Sequence, residues 1–156
     1  MKGKPEPLKV LQEALTDELG AAHIYMLNAE MCENWGYKAL AGLTRKRAIE
    51  EMKHAERLME RILYLEGLPD VQSMPKLVVG KDVPAQLEAA LKSEQGAIAS
   101  YNEGIATCRK AEDEGSALLL RANLQDEERH ADFLETQLGL IKEVGLANYL
   151  AQSMEG

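Results

Sequence analysis

Residues 50 to 58 read EEMKHAERL, with Glu51 and His54 three positions apart and Met52 between them. Each residue of an α-helix turns by about 100°, so positions i and i+3 share one face, and this carboxylate and imidazole can aim at one point. Residues 127 to 130 read EERH and repeat the spacing 76 positions later, with Glu127 and His130. Glu18 and Glu94 are also 76 positions apart, as are Tyr25 and Tyr101. Two halves in one register are what two helical hairpins packed about a pseudo-twofold axis require.

The flanking sequence supplies the helices. Periodicity begins after Pro5 and Pro7, with Leu8, Leu11, Leu15, Leu19, Ala22 and Met26 on one stripe, and Gly36 is a stop signal. A second helix is expected from about Tyr37 to Glu66, carrying Leu40, Leu43, Ile49, Leu58, Ile62 and Leu65, and EGLP provides a Gly and a Pro to end it. Residues 67 to 82 have no 3.6-residue period and several breakers, a connection able to cross the length of a bundle and leave the third helix parallel to the second. That third helix runs from the cap Asp82 to about Ala111. A fourth spans about Ser116 to Val144 and stops at Gly145, and Leu146, Tyr149 and Leu150 fit a short fifth helix. Long helices of roughly 28 to 30 residues reach about 40 to 45 Å. The expected class is all-α: a four-helix bundle with one long crossover between the second and third helices.

A chain of 156 residues fits one domain over 1–156. Its net charge of −8, with TRKR at 44 to 47 as the one basic cluster, disfavours nucleic acid and favours cations. Cys32 and Cys108 form no CxxC pair and read as reduced thiols in partly buried positions. The N-terminus MKGKPEPLKV has no apolar leader and no stretch is apolar enough for a membrane, so a cytoplasmic protein is expected.

Glu18 lies on the stripe of Leu11, Leu15, Ala22 and Tyr25, where a lone carboxylate is costly to bury. Four carboxylates and two imidazoles converging there call for cations. Two divalent ions balance four negative charges, and an oxygen-rich set with one imidazole per ion suits iron(II) or manganese(II) better than structural zinc. A Glu from each of two helices with Glu-x-x-His from each of the others is the known ligand pattern of di-iron and di-manganese carboxylate bundles. One Glu-x-x-His in a charged helix is ordinarily a solvated ion pair; two copies in register with Glu18 and Glu94 favour the metal reading. His23 has Ala99 at its repeat position and reads as structural or surface. Tyr25, about two turns after Glu18, either bonds a ligand carboxylate or supplies an electron, or is a core tyrosine with a satisfied hydroxyl. For Tyr101 the repeat alone argues a chemical role.

NWGYKAL, EEMKHAERLMERILYLEGLP, DEERH, FLETQLGLI and VGLANYL resemble segments of the bacterioferritin family, and the resemblance spans nearly the whole chain. It implies a ferritin-like fold and a ferroxidase centre of two iron ions per subunit. Glu51 and Glu127 would bridge the irons, Glu18 and His54 would hold one, and Glu94 and His130 the other. The resemblance makes Met52 an axial ligand of a haem b shared between two subunits. Met52 stands 100° from Glu51, on a flank with Arg45, Ala48, Glu56 and Met59, and one methionine per chain suffices at a twofold axis. Met31 and Trp35 would line the haem pocket or interface, or belong to the core. The family assembles dimers into a 24-subunit shell that stores ferric mineral. Iron(II) is oxidised there by dioxygen or hydrogen peroxide, and release draws electrons from a reductase or small ferredoxin.

Lys46 and Glu50 stand where some members have a histidine and an aspartate that form an inner-surface iron site, and Leu58 and Phe133 where some have a tyrosine and a tryptophan. The expected function is therefore iron storage with ferroxidase activity. The rivals are a ferritin-like di-iron peroxidase or oxidase without storage, a DNA-protecting mini-ferritin, which the acidic charge disfavours, and a haem-binding subunit of a mixed shell.

Overall fold

The computed structural model describes residues 1–155. It has five helices: α1 Pro5–Trp35, α2 Lys38–Tyr64, α3 Val83–Lys110, α4 Glu114–Val144 and α5 Leu146–Gln152. No strand occurs among the described residues, so the expected all-α class holds.

Pro5 opens α1, where its missing N–H costs nothing. Gly36 closes it in the left-handed region at φ 90°, with Tyr37 N–H donating to the Cys32 carbonyl at 2.9 Å and Gly36 N–H to that of Glu33 at 3.1 Å. The chain therefore reverses at once, and α2 packs back along α1. Asp82 caps α3 by accepting from Ala85 N–H at 2.8 Å. The fourth helix starts at Glu114, two residues before the expected Ser116. Glu112 takes the left-handed turn at φ 61°, and the Asp113 side chain accepts from Ser116 N–H at 3.0 Å. At the end of α2 the left-handed residue is likewise Glu66, at φ 63°, rather than the expected Gly67.

Contacts of the crossover with α1 set the direction of α3. Gly3 N–H donates to the Leu65 carbonyl near the start of α1, and Gln12 brackets Asp70 through Nε2 to its carbonyl at 2.9 Å and Oε1 from its N–H at 2.7 Å. Pro75 rests on Gly20 further along, and Gln86 on α3 accepts from Cys32 Sγ at 3.3 Å near the end of α1. The third helix thus starts beside the start of α2 and runs parallel to it, as the crossover length leads one to expect. At the other end Arg61 of α2 donates to Asp113 at 2.7 Å and to Ser116 Oγ at 3.0 Å. Tyr149 of α5 is buried and donates to Gln137 Oε1 at 2.8 Å.

Two apolar clusters fill the bundle. One holds Leu11, Leu15, Leu58, Ile62 and Leu120, the other Cys32, Leu40, Val83, Leu134 and Tyr149. Three residues expected in the core are exposed: Met26 (53%), Leu43 (51%) and Ile49 (52%). The inward stripe of α1 passes through Tyr25, Ala29 and Cys32 instead of Met26, and Ile49 lies about 200° around α2 from buried Glu51. Both cysteines are buried and free, and burial pushes each thiol up to about 11. No helix among the described residues is long and apolar enough to cross a membrane.

A Cβ on Gly20 would meet Pro75 Cγ at 2.4 Å, whereas one on Gly139 meets nothing within 4 Å. Gly20→Ala should therefore lose about 1–3 kcal/mol in urea unfolding, and Gly139→Ala should gain up to about 1 kcal/mol. Equal effects would mean that the crossover is not seated on α1 as described.

Candidate metal centre

Six buried titratable side chains meet halfway along the bundle: Glu18 from α1, Glu51 and His54 from α2, Glu94 from α3, and Glu127 and His130 from α4. Their donor atoms form two groups, Glu18–Glu51–His54–Glu127 and Glu51–Glu94–Glu127–His130, each with all atoms within 4.8 Å of one another. Glu51 and Glu127 belong to both. His54 Nδ1 lies 2.9 Å from Glu127 Oε1 and 3.4 Å from Glu18 Oε1. His130 Nδ1 lies 2.9 Å from Glu51 Oε1, 3.3 Å from Glu127 Oε2 and 3.6 Å from Glu94 Oε1. The two rings lie side by side, centroids 6.2 Å apart and 18° from parallel.

Each ring is held from behind. His54 Nε2 lies 2.7 Å from Asp126 Oδ2, and His130 Nε2 lies 2.7 Å from Glu50 Oε2. A carboxylate only accepts, so each Nε2 carries the hydrogen and a neutral ring turns its Nδ1 lone pair toward the cluster. Lone pairs of nitrogen and carboxylate then face each other, and a proton or a cation has to lie between them. Although burial pushes Asp126 up, bonds from His54 and Arg129 hold its carboxyl below the usual range.

The electrostatics express the same demand. Burial lifts the carboxyl groups of Glu18 and Glu51 well above their ordinary range, and burial with the neighbouring Glu127 lifts Glu94 to about 10. Burial pushes His54 down, but hydrogen bonds to Glu127 and Asp126 and the charges of Glu51 and Glu127 outweigh it and raise the ring to about 9. Without metal the cluster holds protons. Glu18 Oε2 and Glu51 Oε1 are still buried without a hydrogen-bond partner, although the latter is close to His130 Nδ1. Carboxylate oxygens with one imidazole nitrogen in each group form a donor set that can hold two divalent cations of the iron(II) or manganese(II) type.

Both tyrosines join the cluster. Tyr25 Oη donates to Glu94 Oε1 at 2.6 Å and Tyr101 Oη donates to Glu18 Oε1 at 2.5 Å, so each hydroxyl crosses to the other hairpin. Sequence alone gives Tyr101 less weight than Tyr25, yet the geometry of the two is equivalent. Burial, followed by the facing carboxylate, raises both phenols well above their ordinary range. The sequence does not mark Asp126 and Glu50 as histidine partners, although they too lie 76 positions apart. His23 is exposed, as expected of a surface residue, and so is Lys46.

Met52 is half-buried against the larger apolar cluster beside Met59, rather than standing free on an exposed flank. Met31 and Trp35 are also half-buried. Gln86 Nε2 donates to Met31 Sδ at 3.7 Å, and Trp35 meets Tyr37 edge-on at 6.4 Å. Between α1 and α3, under the crossover, a cavity of about 890 Å³ reaches Glu18, Glu51, Glu94 and Glu127 and is flanked by Glu13, Asp17, Asp70 and Glu103.

The family model for the ferritin-like domain matches residues 8–144. The bacterioferritin of Mycobacterium leprae is 44% identical over 152 residues, which is 97% of this chain and 96% of that protein. The bacterioferritin of Brucella melitensis is 44% identical over 96% of this chain and 92% of its own length, and that of Streptomyces coelicolor 41% over 99% and 93%. With the bundle, the crossover and a match of this extent, the chain belongs to the bacterioferritin family.

Proposed function

We propose that this chain is an iron-storage protein with ferroxidase activity, acting in the cytoplasm as one ferritin-like domain that dimerises and assembles into a 24-subunit shell. The observation that carries the reading is the pair of buried donor groups sharing Glu51 and Glu127 inside a bacterioferritin-family bundle. Iron(II) is substrate and cargo. Glu18 and His54 hold one ion, Glu94 and His130 the other, and Glu51 and Glu127 lie between them. Two iron(II) ions give two electrons to one dioxygen, which with two protons becomes hydrogen peroxide, or to one hydrogen peroxide, which with two protons becomes two waters.

The protein's part is position and charge. Asp126 and Glu50 fix the tautomer and direction of the two imidazoles, as carboxylates do behind metal-bound histidines. Tyr25 and Tyr101 hold Glu94 and Glu18 in place. Binding of iron(II) displaces the protons that burial keeps on the carboxyl groups, and the acidic cavity between α1 and α3 draws cations toward them.

Met52 would hold a haem b shared between two subunits. The thioether is half-buried, and exposed Ile49 lies one turn before it on the same face of α2, giving the apolar surface that a macrocycle covers. When bound it supplies electron relay for reductive iron release, with a small ferredoxin as donor.

Size-exclusion chromatography with a visible spectrum should give a particle of about 24 chains with a haem band; a stable dimer that takes up no iron would sink the storage reading. Glu127→Ala should abolish fast iron(II) oxidation and keep haem, and Met52→Leu should do the reverse. Loss of both properties in either variant contradicts their separation. Asp126→Ala should weaken cobalt(II) binding to the apo-protein about 10- to 100-fold.

The raised groups also predict a pH dependence. Folded apo-protein keeps protons on Glu94 up to about pH 10 and on His54 up to about 9, while the unfolded chain releases them near its ordinary carboxyl and imidazole values. Their contribution to stability is thus complete in acid and fades as pH rises. The Tm of apo-protein should fall between about pH 5 and 9, and a divalent ion that replaces the protons should flatten the fall. A Tm that climbs over this range without metal would refute the proton-filled cluster.

A further inference from the structure

The two tyrosines of the centre have equivalent bonds to carboxylate but unlike surroundings. Tyr101 Oη also accepts from Asn123 Nδ2 at 3.2 Å, and Asn123 is completely buried. On the Tyr25 side the position in register with Asn123 is Arg47, and the position in register with Gly104 is Asn28. Instead of a closed hydrogen bond there is a cavity of about 40 Å³, lined by Tyr25, Asn28, Arg47 and Gln86, the last already paired with Cys32 and Met31, among apolar side chains that include Val83, Leu87 and Phe133.

Two of the residues that line this cavity each carry a buried polar atom without a partner. Asn28 is 5% exposed, and its Oδ1 is buried and accepts nothing. Arg47 Nη1 is buried and donates to nothing, while the guanidinium carbon lies 5.6 Å above the Phe133 ring. Unpaired buried donors and acceptors are costly, and natural structures ordinarily satisfy them with protein or small polar molecules. A guest that pairs with both must accept from a guanidinium and donate to an amide oxygen. A halide only accepts, an ammonium only donates, and dioxygen does neither well. Water and hydrogen peroxide do both. One water needs about 10–15 Å³, so the cavity has room for about two to four oxygen centres, enough for the two oxygens of a peroxide. Exposed Leu43 and half-buried Thr44 also line it, giving a mouth on α2, and its wall at Tyr25 is one hydrogen bond from Glu94.

We propose that this cavity binds hydrogen peroxide between Arg47 and Asn28 beside the Tyr25–Glu94 end of the metal centre, with water as its occupant when peroxide is absent. The assignment rests on the ferroxidase reading for its purpose, but its geometry is independent of it. Hydrogen peroxide then has a receiving site that dioxygen lacks.

Two measurements test it. A high-resolution crystal structure of the apo-protein should show an ordered oxygen within hydrogen-bond distance of both Arg47 Nη1 and Asn28 Oδ1, absent in Asn28→Leu. In iron(II) oxidation, Asn28→Leu and Arg47→Met should each raise the KM for hydrogen peroxide about threefold to tenfold, as loss of one hydrogen bond does, with a much smaller change in the KM for dioxygen. Arg47→Met lies near the mouth and keeps the test valid if the core substitution fails to fold. A dry cavity, or equal shifts for both oxidants, overturns the pocket alone. Ordered water with an unchanged peroxide KM overturns the peroxide assignment, and a wild-type protein that oxidises iron with neither oxidant overturns the ferroxidase reading and the peroxide route with it.

Discussion

The rest of the structure depends on the burial of four carboxyl groups and two imidazoles at one level of the bundle. Such a layer is expensive wherever its charges are not matched, and the raised carboxyl groups of Glu18, Glu51 and Glu94 record that cost. Each long helix must deliver its carboxylate at the same height, so helix starts, caps and connection lengths become parts of the site. The turn at Gly36, the seat of Pro75 on Gly20 and the cap at Asp113 all serve that register. The apolar core is divided accordingly, with one cluster around Leu15 and Leu120 and another around Cys32 and Leu134.

The register also separates what both donor groups share from what only one has. The glutamates, the histidines, the carboxylates behind the histidines and the tyrosines all occur in pairs. Asn28, Arg47 and Met52 do not: their counterparts are Gly104, Asn123 and Glu128. Paired residues build the cluster, while unpaired ones differentiate its surroundings. Tyr101 is locked by Asn123, whereas Tyr25 borders a space with unspent hydrogen-bonding capacity.

Much of this was legible in the sequence because the helix period and the 76-residue offset are local, repeated signals. They gave the element order, the crossover, the converging glutamates and histidines and the place of Tyr25. The failures have physical causes. Apolar residue type does not fix a side of the helix, so Met26, Leu43 and Ile49 read as core in the sequence and are exposed in the structure. Left-handed backbone falls on Glu66 and not on the neighbouring Gly67, and on Glu112 and not on Gly115 three residues on. Asp126 and Glu50 look like ordinary surface acids in a helix rich in charge. Their role depends on which ring nitrogen faces outward, which a helical wheel does not reveal.

One stretch of α2 thereby serves several environments at once. Glu51 and His54 point into the carboxylate layer, Glu50 reaches across to steady His130 on α4, and Met52 packs half-buried on a different side. These assignments differ by single residue steps of about 100°, so a slip of one position along α2 would exchange a cluster residue for its neighbour. The anchors at the two ends of the helix prevent that slip. Ala39 N–H donates to the Ser153 carbonyl beside α5, and Arg61 binds Asp113 and Ser116 where α4 begins. The fifth helix therefore contributes to the centre from a distance, by fixing the end of the helix that carries Glu51 and His54.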